Sequence, residues 1–348
     1  MDRREFLKTS GALVVSFTVP AADVLAQSGK PPLVPGELDS WIAVLPNGNV
    51  QAFFGKMDMG QGLDVAVAQI VAEELDVGFD KVAVFMGDTG SSCNQGGASG
   101  STGVSNGARL LRRAAAEARR VLVERGAEKL KAPVAQLRVE DGTVIGPQGK
   151  TTYAELVGGR YFNHKVEWNK QTGNPMDISV PAKPKAPSEY KVVGKPLPRR
   201  DVAWKVFGTD EFITEVRVRG MLHARVIRPP RAACKVRSID ESSIKGIRGA
   251  QVIREKDFVA VVAPKEWDAV RAAQSLKVDW ELLDAPFPPM DQLYEHIRGA
   301  KVVKRQDEVK KGDIAAGFNT PGVKVVEAQY EWPFQSHASM GPACAVAE

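Results

Sequence analysis

The residues best suited to chemistry lie in two glycine-rich loops. In "FFGKMDMGQGLDVAVAQIVAEELDV", residues 53–77, Gly60, Gln61 and Gly62 stand between an apolar run and an alanine-rich helical pattern. A turn of that kind at a helix start exposes backbone N–H groups and the positive end of the helix dipole, which together attract an anion. The glycines allow a ligand close to the backbone, and the Gln61 amide can both donate and accept. A plain helix cap with flexible glycines is the alternative, and Gly-x-Gly alone does not exclude it. The second loop, "NQGGASGSTGVSNG" from Asn94, offers unhindered N–H groups and the hydroxyls of Ser99, Ser101 and Thr102 just before a helix. A phosphate or pyrophosphate cradle fits that composition, as does a mobile surface loop. Neither the P-loop nor the dinucleotide fingerprint is present: Gly-Lys-Ser/Thr is missing, and no Gly-x-Gly-x-x-Gly opens a helix straight after its strand. Two such loops, each leading into a helix, favour one shared ligand.

No nucleophile constellation accompanies them. There is no Gly-x-Ser-x-Gly elbow. Of the nearby acids, Glu73 and Glu74 are expected on a solvated helix face, and Asp88 is expected to stabilise a turn or cap a helix rather than act as a base. His337, in "QSHASMGP", reads as structural. Cys93, Cys234 and Cys344 form no Cys-x-x-Cys, and with His164, His223, His296 and His337 they make no metal-ligand spacing. No iron–sulfur cluster or structural zinc is expected from this chain alone. No catalytic residue or metal ligand is assigned, and one disulfide stays open.

The elements that must position the loops follow from local pattern. "LDSWIAVLPNGNVQAFFGK" alternates about Pro46-Asn47-Gly48, a strong hairpin signature. A helix is predicted from about Leu63 to Leu75, then a buried strand in "KVAVFMGD". A long helix begins near Ala108 with Leu111, Ala114, Ala118, Val121 and Leu122 on one face. "LRVEDGTVIG" reads as a hairpin, and "TTYAELV" as a short helix capped by Thr151 or Thr152. The proline-rich "SVPAKPKAPSEY" reads as an extended, poorly packed linker. Beyond it come short strands in "GMLHARVIRPP", "CKVRSID", "AQVIREKDFVAVVA" and "SLKVDW". The helix "KEWDAVRAAQ" precedes the last of these, with Trp267, Val270 and Ala273 or Gln274 along one side. The final "VKVVEAQYEWPFQSHASMGPACAVAE" is expected to be mostly strand, interrupted at Glu348. Segregated strands with a few helices argue α+β.

Length and charge set broad limits. A chain of 348 residues suits about two domains. A formal charge of +5 without a basic run points away from nucleic acid. "MDRREFLKTSGALVVSFTVPAADVLAQ" has a charged head, a short apolar stretch and small residues, the layout of an export signal over residues 1–27. Arg3-Arg4 followed by Glu5-Phe6-Leu7-Lys8 resembles the twin-arginine signal. That route implies a periplasmic destination and a cofactor inserted before export.

Four stretches resemble the molybdopterin-binding large subunits of the xanthine dehydrogenase/aldehyde oxidase family, most closely the branch that holds the isoquinoline 1-oxidoreductase beta chain. They are "GKMDMGQGLDVAVAQIVAEELDV", with Asp58 where the family usually has glutamate; "GDTGSSCNQGGASGS"; "VVGKPLPRRDVAWKVFGTDEFITEVRVRGMLHARVIRPP"; and "YEWPFQSHASMGPACAVA". The resemblance implies a molybdopterin-binding segment over 28–180, an α/β hammerhead domain over 181–290, and over 291–348 a linker with the start of a molybdenum-binding domain. By position, Gly60, Gln61 and Gly62 would contact the pterin, and Gly100 and Ser101 would hold its phosphate end. The implied cofactor is molybdopterin with molybdenum, in the cytosine dinucleotide form. The implied reaction is hydroxylation of an aldehyde or N-heterocycle with oxygen from water, aided by a glutamate base. Electrons would leave through [2Fe–2S] clusters on an iron–sulfur small subunit, with a cytochrome c as a further acceptor.

The departures carry expectations of their own. Gly96-Gly97-Ala98-Ser99-Gly100-Ser101-Thr102 stands where the family often has Gly-Gly-Thr-Gly-Gly-Ser-Arg. His337-Ala338-Ser339-Met340-Gly341-Pro342 lacks the family's glutamate in that motif. The catalytic glutamate, in a Gly-x-Gly-Glu context, has no counterpart here. A second molybdenum-binding chain is therefore expected to complete the large subunit. The alternatives are an inactive truncated fragment and a non-enzymatic pterin-binding or assembly module.

Overall fold

The computed structural model describes residues 33–306, 309, 311–333, 335 and 343–347. Arg3, Arg4 and the expected export segment lie outside the described residues, as does His337. The fold is α+β, and the chain divides into two compact units between Phe207 and Gly208.

The first unit begins with the hairpin expected from Asn47-Gly48. Strand β1 (Ile42–Val44) pairs antiparallel with β2 (Val50–Phe54), and Gly48 supplies the positive φ of the turn. Helix α1 (Leu63–Leu75) then crosses over, and β3 (Val82–Met86) returns parallel to β2, Val50 opposite Val82 and Phe54 opposite Met86. A π-helical turn over Gly103–Ala108 leads into α2 (Arg109–Leu130). Leu63, Val67, Val71 and Leu75 of α1 are buried, each stabilising the unit by about 1.5–3 kcal/mol. The predicted face of α2, Leu111, Ala114, Ala118, Val121 and Leu122, is buried in the same core with Val50, Ala52 and Phe54 of β2. Strand β3 is half-buried along most of its length, because it forms an edge of this sheet.

A meander of β4 (Arg138–Glu140), β5 (Thr143–Gly146) and β6 (Gly149–Thr152) follows. It leads into the short helix α3 (Tyr153–Val157), capped by the Thr152 hydroxyl, which accepts from the Glu155 N–H at 3.2 Å. The Tyr153 hydroxyl, deep in the core, donates to the Leu75 carbonyl at 3.0 Å and ties this meander to the end of α1. Strands β7 (Glu167–Trp168) and β8 (Ile178–Ser179) make a small antiparallel pair.

The proline-rich stretch after β8 differs from the loose linker expected of it. It is extended, but it is strapped onto the helices of the first unit. Glu117 of α2 accepts from the Ala182 N–H at 3.1 Å, and Glu74 of α1 accepts from the Lys185 N–H at 3.1 Å. One oxygen of Glu73 accepts from three successive N–H groups, Lys191, Val192 and Val193, at 2.8, 2.6 and 2.9 Å. Gln69 then donates to the carbonyls of Val192 and Lys195, both at 3.0 Å. Glu73 and Glu74 are thus buried rather than solvated. The reason is tertiary: buried carboxylates require donors, and the strap brings backbone N–H groups that no strand or helix uses. Helix α4 (Asp201–Phe207) ends the unit.

The second unit holds the sheet of β9 (His223–Ile227), β12 (Phe258–Ala263) and β11 (Gln251–Glu255), with β12 central. Strand β10 (Cys234–Asp240) pairs with β13 (Lys277–Leu282). Helix α5 (Glu266–Ser275) packs on β9 and β12 through Ala269 and Ala272, whereas Trp267 is exposed. The side that packs is thus the one bearing Ala269 and Ala272, whose small side chains let the helix lie closer to the sheet than a tryptophan would allow. Helices α6 (Met290–Gly299) and α7 (Ile314–Phe318) follow. The described residues after α7 contain no strand, contrary to expectation; exposed Tyr330 and Trp332 have no paired neighbour strand to shelter them.

Candidate functional site

Strands β2 and β3 run parallel, so the loops that follow them leave at the same edge of the sheet. That carboxyl edge is where open α/β units bind ligands. The two glycine loops are these connections. They meet directly: a Cβ on Gly103 would lie 3.0 Å from the Leu63 side chain, and one on Gly87 would lie 3.8 Å from that of Met57. Gly55 is where the loops come closest, since a Cβ there would fall 1.7 Å from the Cys93 carbonyl oxygen. Gln95, buried, fastens the same junction by accepting from the Gly55 N–H at 2.7 Å and donating to the Gly107 carbonyl at 3.0 Å.

In the first loop the structure changes the expected role of the helix start. The Asp58 carboxylate folds back and accepts from the N–H groups of Gly60 (2.7 Å), Gly62 (3.3 Å) and Asp64 (3.2 Å). The positive end of α1 is therefore satisfied from within, and its N–H groups are not an open anion seat. Burial would raise the Asp58 pKa, but those N–H bonds outweigh it and hold the carboxyl below the usual aspartate range. Burial raises Asp64 instead, and the charges of Asp58 and Asp201 add to that. The Gln61 side chain is oriented by its own oxygen, which accepts from the Met59 N–H at 2.7 Å. Its NH2 group is left facing outward as a donor with no acceptor among the described residues. Gly60 and Gly62 adopt φ of +104° and +79°, conformations that L-residues resist.

Arg199, at the end of the strap, donates to the Gly60 carbonyl at 2.6 Å and lays its side chain along Gly62. It is held there by Asp201, which accepts from its Nε at 2.9 Å. Nothing near Gly60 in sequence points to it, since the contact joins residues far apart in the chain.

In the second loop, Gly100 and Ser101 both have positive φ, +65° and +58°. The Ser99 and Ser101 hydroxyls have no partner among the described residues, while the Thr102 hydroxyl is turned back onto the Ser99 carbonyl at 3.0 Å. Asp88 serves its expected turn role by accepting from the Gly90 N–H at 2.8 Å. The motifs of the sequence do not single out Lys56. It is buried between the loops, where its ammonium donates to the Gly97 carbonyl (2.7 Å) and to Asn174 Oδ1 (2.6 Å). A signal for it exists: Val50, Ala52, Phe54 and Lys56 share one strand parity, so Lys56 continues the core-facing side of β2.

The rim so formed can receive a large, polar, anionic ligand. Above Gly60 and Gly100 the space is open, with nothing within 4 Å of an added Cβ at either. The Gln61 amide, the Ser99 and Ser101 hydroxyls and an internal cation supply donors and positive charge. That donor set suits a phosphorylated heterocycle bearing its own acceptors. Among the described residues no His/Cys/Asp/Glu cluster could hold a metal ion.

Comparison with known proteins bears on the same region. Residues 14–191, which include both loops, match the molybdopterin cofactor-binding domain family. The chain is 38% identical to a nicotinate dehydrogenase subunit of Pseudomonas putida over 98% of its own length and 28% of that protein. It is 28% identical to the isoquinoline 1-oxidoreductase beta chain of Brevundimonas diminuta, over 81% of this chain and 40% of the other. The chain thus spans less than half the length of either relative. Among solved structures, quinoline 2-oxidoreductase from Pseudomonas putida 86 matches at 30% identity and a TM-score of 0.29, covering 34% of this chain and 15% of that one.

Proposed function

This chain belongs to the molybdopterin cofactor-binding domain family, as a xanthine dehydrogenase-type molybdopterin-binding subunit, and from that premise we propose that it forms one wall of a molybdopterin site in a molybdenum hydroxylase. The observation that carries the reading is the convergence of both glycine loops at the carboxyl edge of the parallel pair β2–β3, inside the matched residues. Gln61 donates its NH2 to the pterin, with Gly60 leaving room for the ring system and Gly62 turning the backbone beside it. Gly100 and Ser101, with Ser99 beside them, face the phosphate end. When bound, the cofactor supplies the two-electron redox chemistry; the residues named here bind and orient it.

The substrate class we assign is an aldehyde or N-heterocycle, hydroxylated with oxygen from water. Relatives named for nicotinate and isoquinoline oxidation support the heterocycle arm. The finer reading adds a cytosine dinucleotide form of the pterin, a second molybdenum-binding chain, a [2Fe–2S] small subunit and a cytochrome c acceptor, in the periplasm after twin-arginine export. Support for export is confined to Arg3, Arg4 and the apolar run behind them.

The test uses the chain purified with its co-expressed partners. Molybdenum and released pterin are counted per chain, and dye reduction is followed with an aldehyde and an N-heterocycle. Gln61→Ala, losing one neutral donor, is expected to lower pterin occupancy about 2- to 10-fold, and Gln61→Glu further by placing an acceptor there. Wild-type assemblies without molybdenum or pterin, or occupancy indifferent to both variants, contradict the proposal.

A further inference from the structure

Lys56 has an environment that packing does not explain. Its side chain is almost wholly buried at 3% exposure, and no carboxylate among the described residues pairs with it. Its ammonium instead lies among neutral oxygens: the Gly97 carbonyl at 2.7 Å, Asn174 Oδ1 at 2.6 Å, and the Gly96 carbonyl and Thr102 hydroxyl, both at 3.4 Å. Burying a cation without a counter-ion is costly, and an apolar side chain of similar length would fill the volume without that cost. An anion bound close by would supply the missing counter-charge.

We propose that Lys56 is a positioning residue for the anionic end of the ligand, orienting the Gly96–Ala98 backbone and placing a fixed positive charge beneath it. The orientation follows from peptide planarity. In a trans peptide the C=O of one residue and the N–H of the next point in opposite directions. Drawing the Gly96 and Gly97 carbonyls inward onto the ammonium therefore sends the N–H groups of Gly97 and Ala98 outward. Neither N–H donates to a protein acceptor among the described residues, and Gly97 is exposed. Two adjacent outward N–H groups over a buried cation form a seat for phosphate oxygens. The seat lies just ahead of Gly100 and Ser101 and survives the closure of the α1 N-terminus by Asp58. Gly96 cannot be replaced freely, since a Cβ there would lie 2.6 Å from the Asn174 backbone nitrogen, and its φ is +78°.

The inference rests on the proposed pterin site, and Asn174 separates the two. Asn174 is exposed, and among the described residues its side chain bonds only to Lys56, so its substitution changes that contact alone. Asn174→Asp keeps an acceptor on Lys56 but neutralises its charge. A purely structural staple predicts equal or better ligand retention from the stronger bond. A charge that acts on the ligand predicts the opposite: about tenfold weaker binding. The full chain is titrated with inorganic pyrophosphate as the probe, and pterin retained by the partner-bound assembly is measured in parallel. Asn174→Asp is expected to lose about tenfold in affinity with an unchanged or higher thermal midpoint, and Lys56→Met to lose at least as much. Should Lys56→Met fail to fold, the surface variant decides alone. Wild-type binding with undiminished binding by Asn174→Asp overturns the inference and leaves the pterin reading standing. Absence of both pterin and pyrophosphate binding in the wild type removes that reading and the inference together.

Discussion

Replacing Glu73 by Gln isolates the contribution of the strap. One Glu73 oxygen accepts from the N–H groups of Lys191, Val192 and Val193, and the side chain is 2% exposed. The glutamine keeps an oxygen at that position, so the geometry can persist while the charge is lost. A hydrogen bond to a charged group contributes about 1.5–3 kcal/mol and a neutral one about 0.5–1.5, a loss of about 1 kcal/mol per bond. Three bonds give about 3 kcal/mol. At about 2–4 °C per kcal/mol for a unit of this size, the midpoint of the first unit should fall by about 6–12 °C. Thermal unfolding followed by circular dichroism measures the shift, and amide exchange at 191–193 reports whether the strap has loosened. Loosening should propagate to Arg199 and release its bond to the Gly60 carbonyl. A midpoint within about 1 °C of wild type, with exchange at 191–193 unchanged, would refute the claim that buried carboxylates hold this segment.

Gly55→Ala places a methyl carbon 1.7 Å from the Cys93 carbonyl oxygen, so the loops must part. A loss of about 3 kcal/mol or more is expected, read as a lowered urea midpoint or failure to purify folded protein. Glu117→Gln should flatten the acid limb of the stability profile. Burial opposes ionisation of Glu117, but hydrogen bonds from Arg120, His164 and the Ala182 N–H outweigh it and hold the pKa below its ordinary value of 4.5. The unfolded chain therefore takes up this proton first as pH falls, so the stabilisation is full above 4.5 and lost below it. Urea midpoints from about pH 6 to pH 3 should fall less steeply in the variant than in the wild type.

Much of the scaffold was legible because local and tertiary requirements coincide there. Asn47-Gly48 demands a tight turn wherever it falls, and the spacing of Leu111, Ala114, Ala118, Val121 and Leu122 presents one apolar face whatever it packs against. Where the two requirements part, packing decides. Trp267 is the largest residue on its helix, yet close packing on the sheet selected Ala269 and Ala272 for burial. The prolines of the strap dictate an extended backbone, but only its acceptors on α1 and α2 decide that it is bound.

The candidate site divides along the same line. The sequence by itself determined that two loops rich in glycine would each open a helix, and that Gln61 would project from the first. Only the tertiary structure decided that the loops share one edge, because parallel pairing of β2 and β3 is a long-range event invisible to local spacing. It also decided that Asp58 satisfies the start of α1, that Arg199 reaches Gly60 and that Lys56 is buried beneath the second loop. Charged groups settle where their partners are, and those partners come together only when distant parts of the chain have packed.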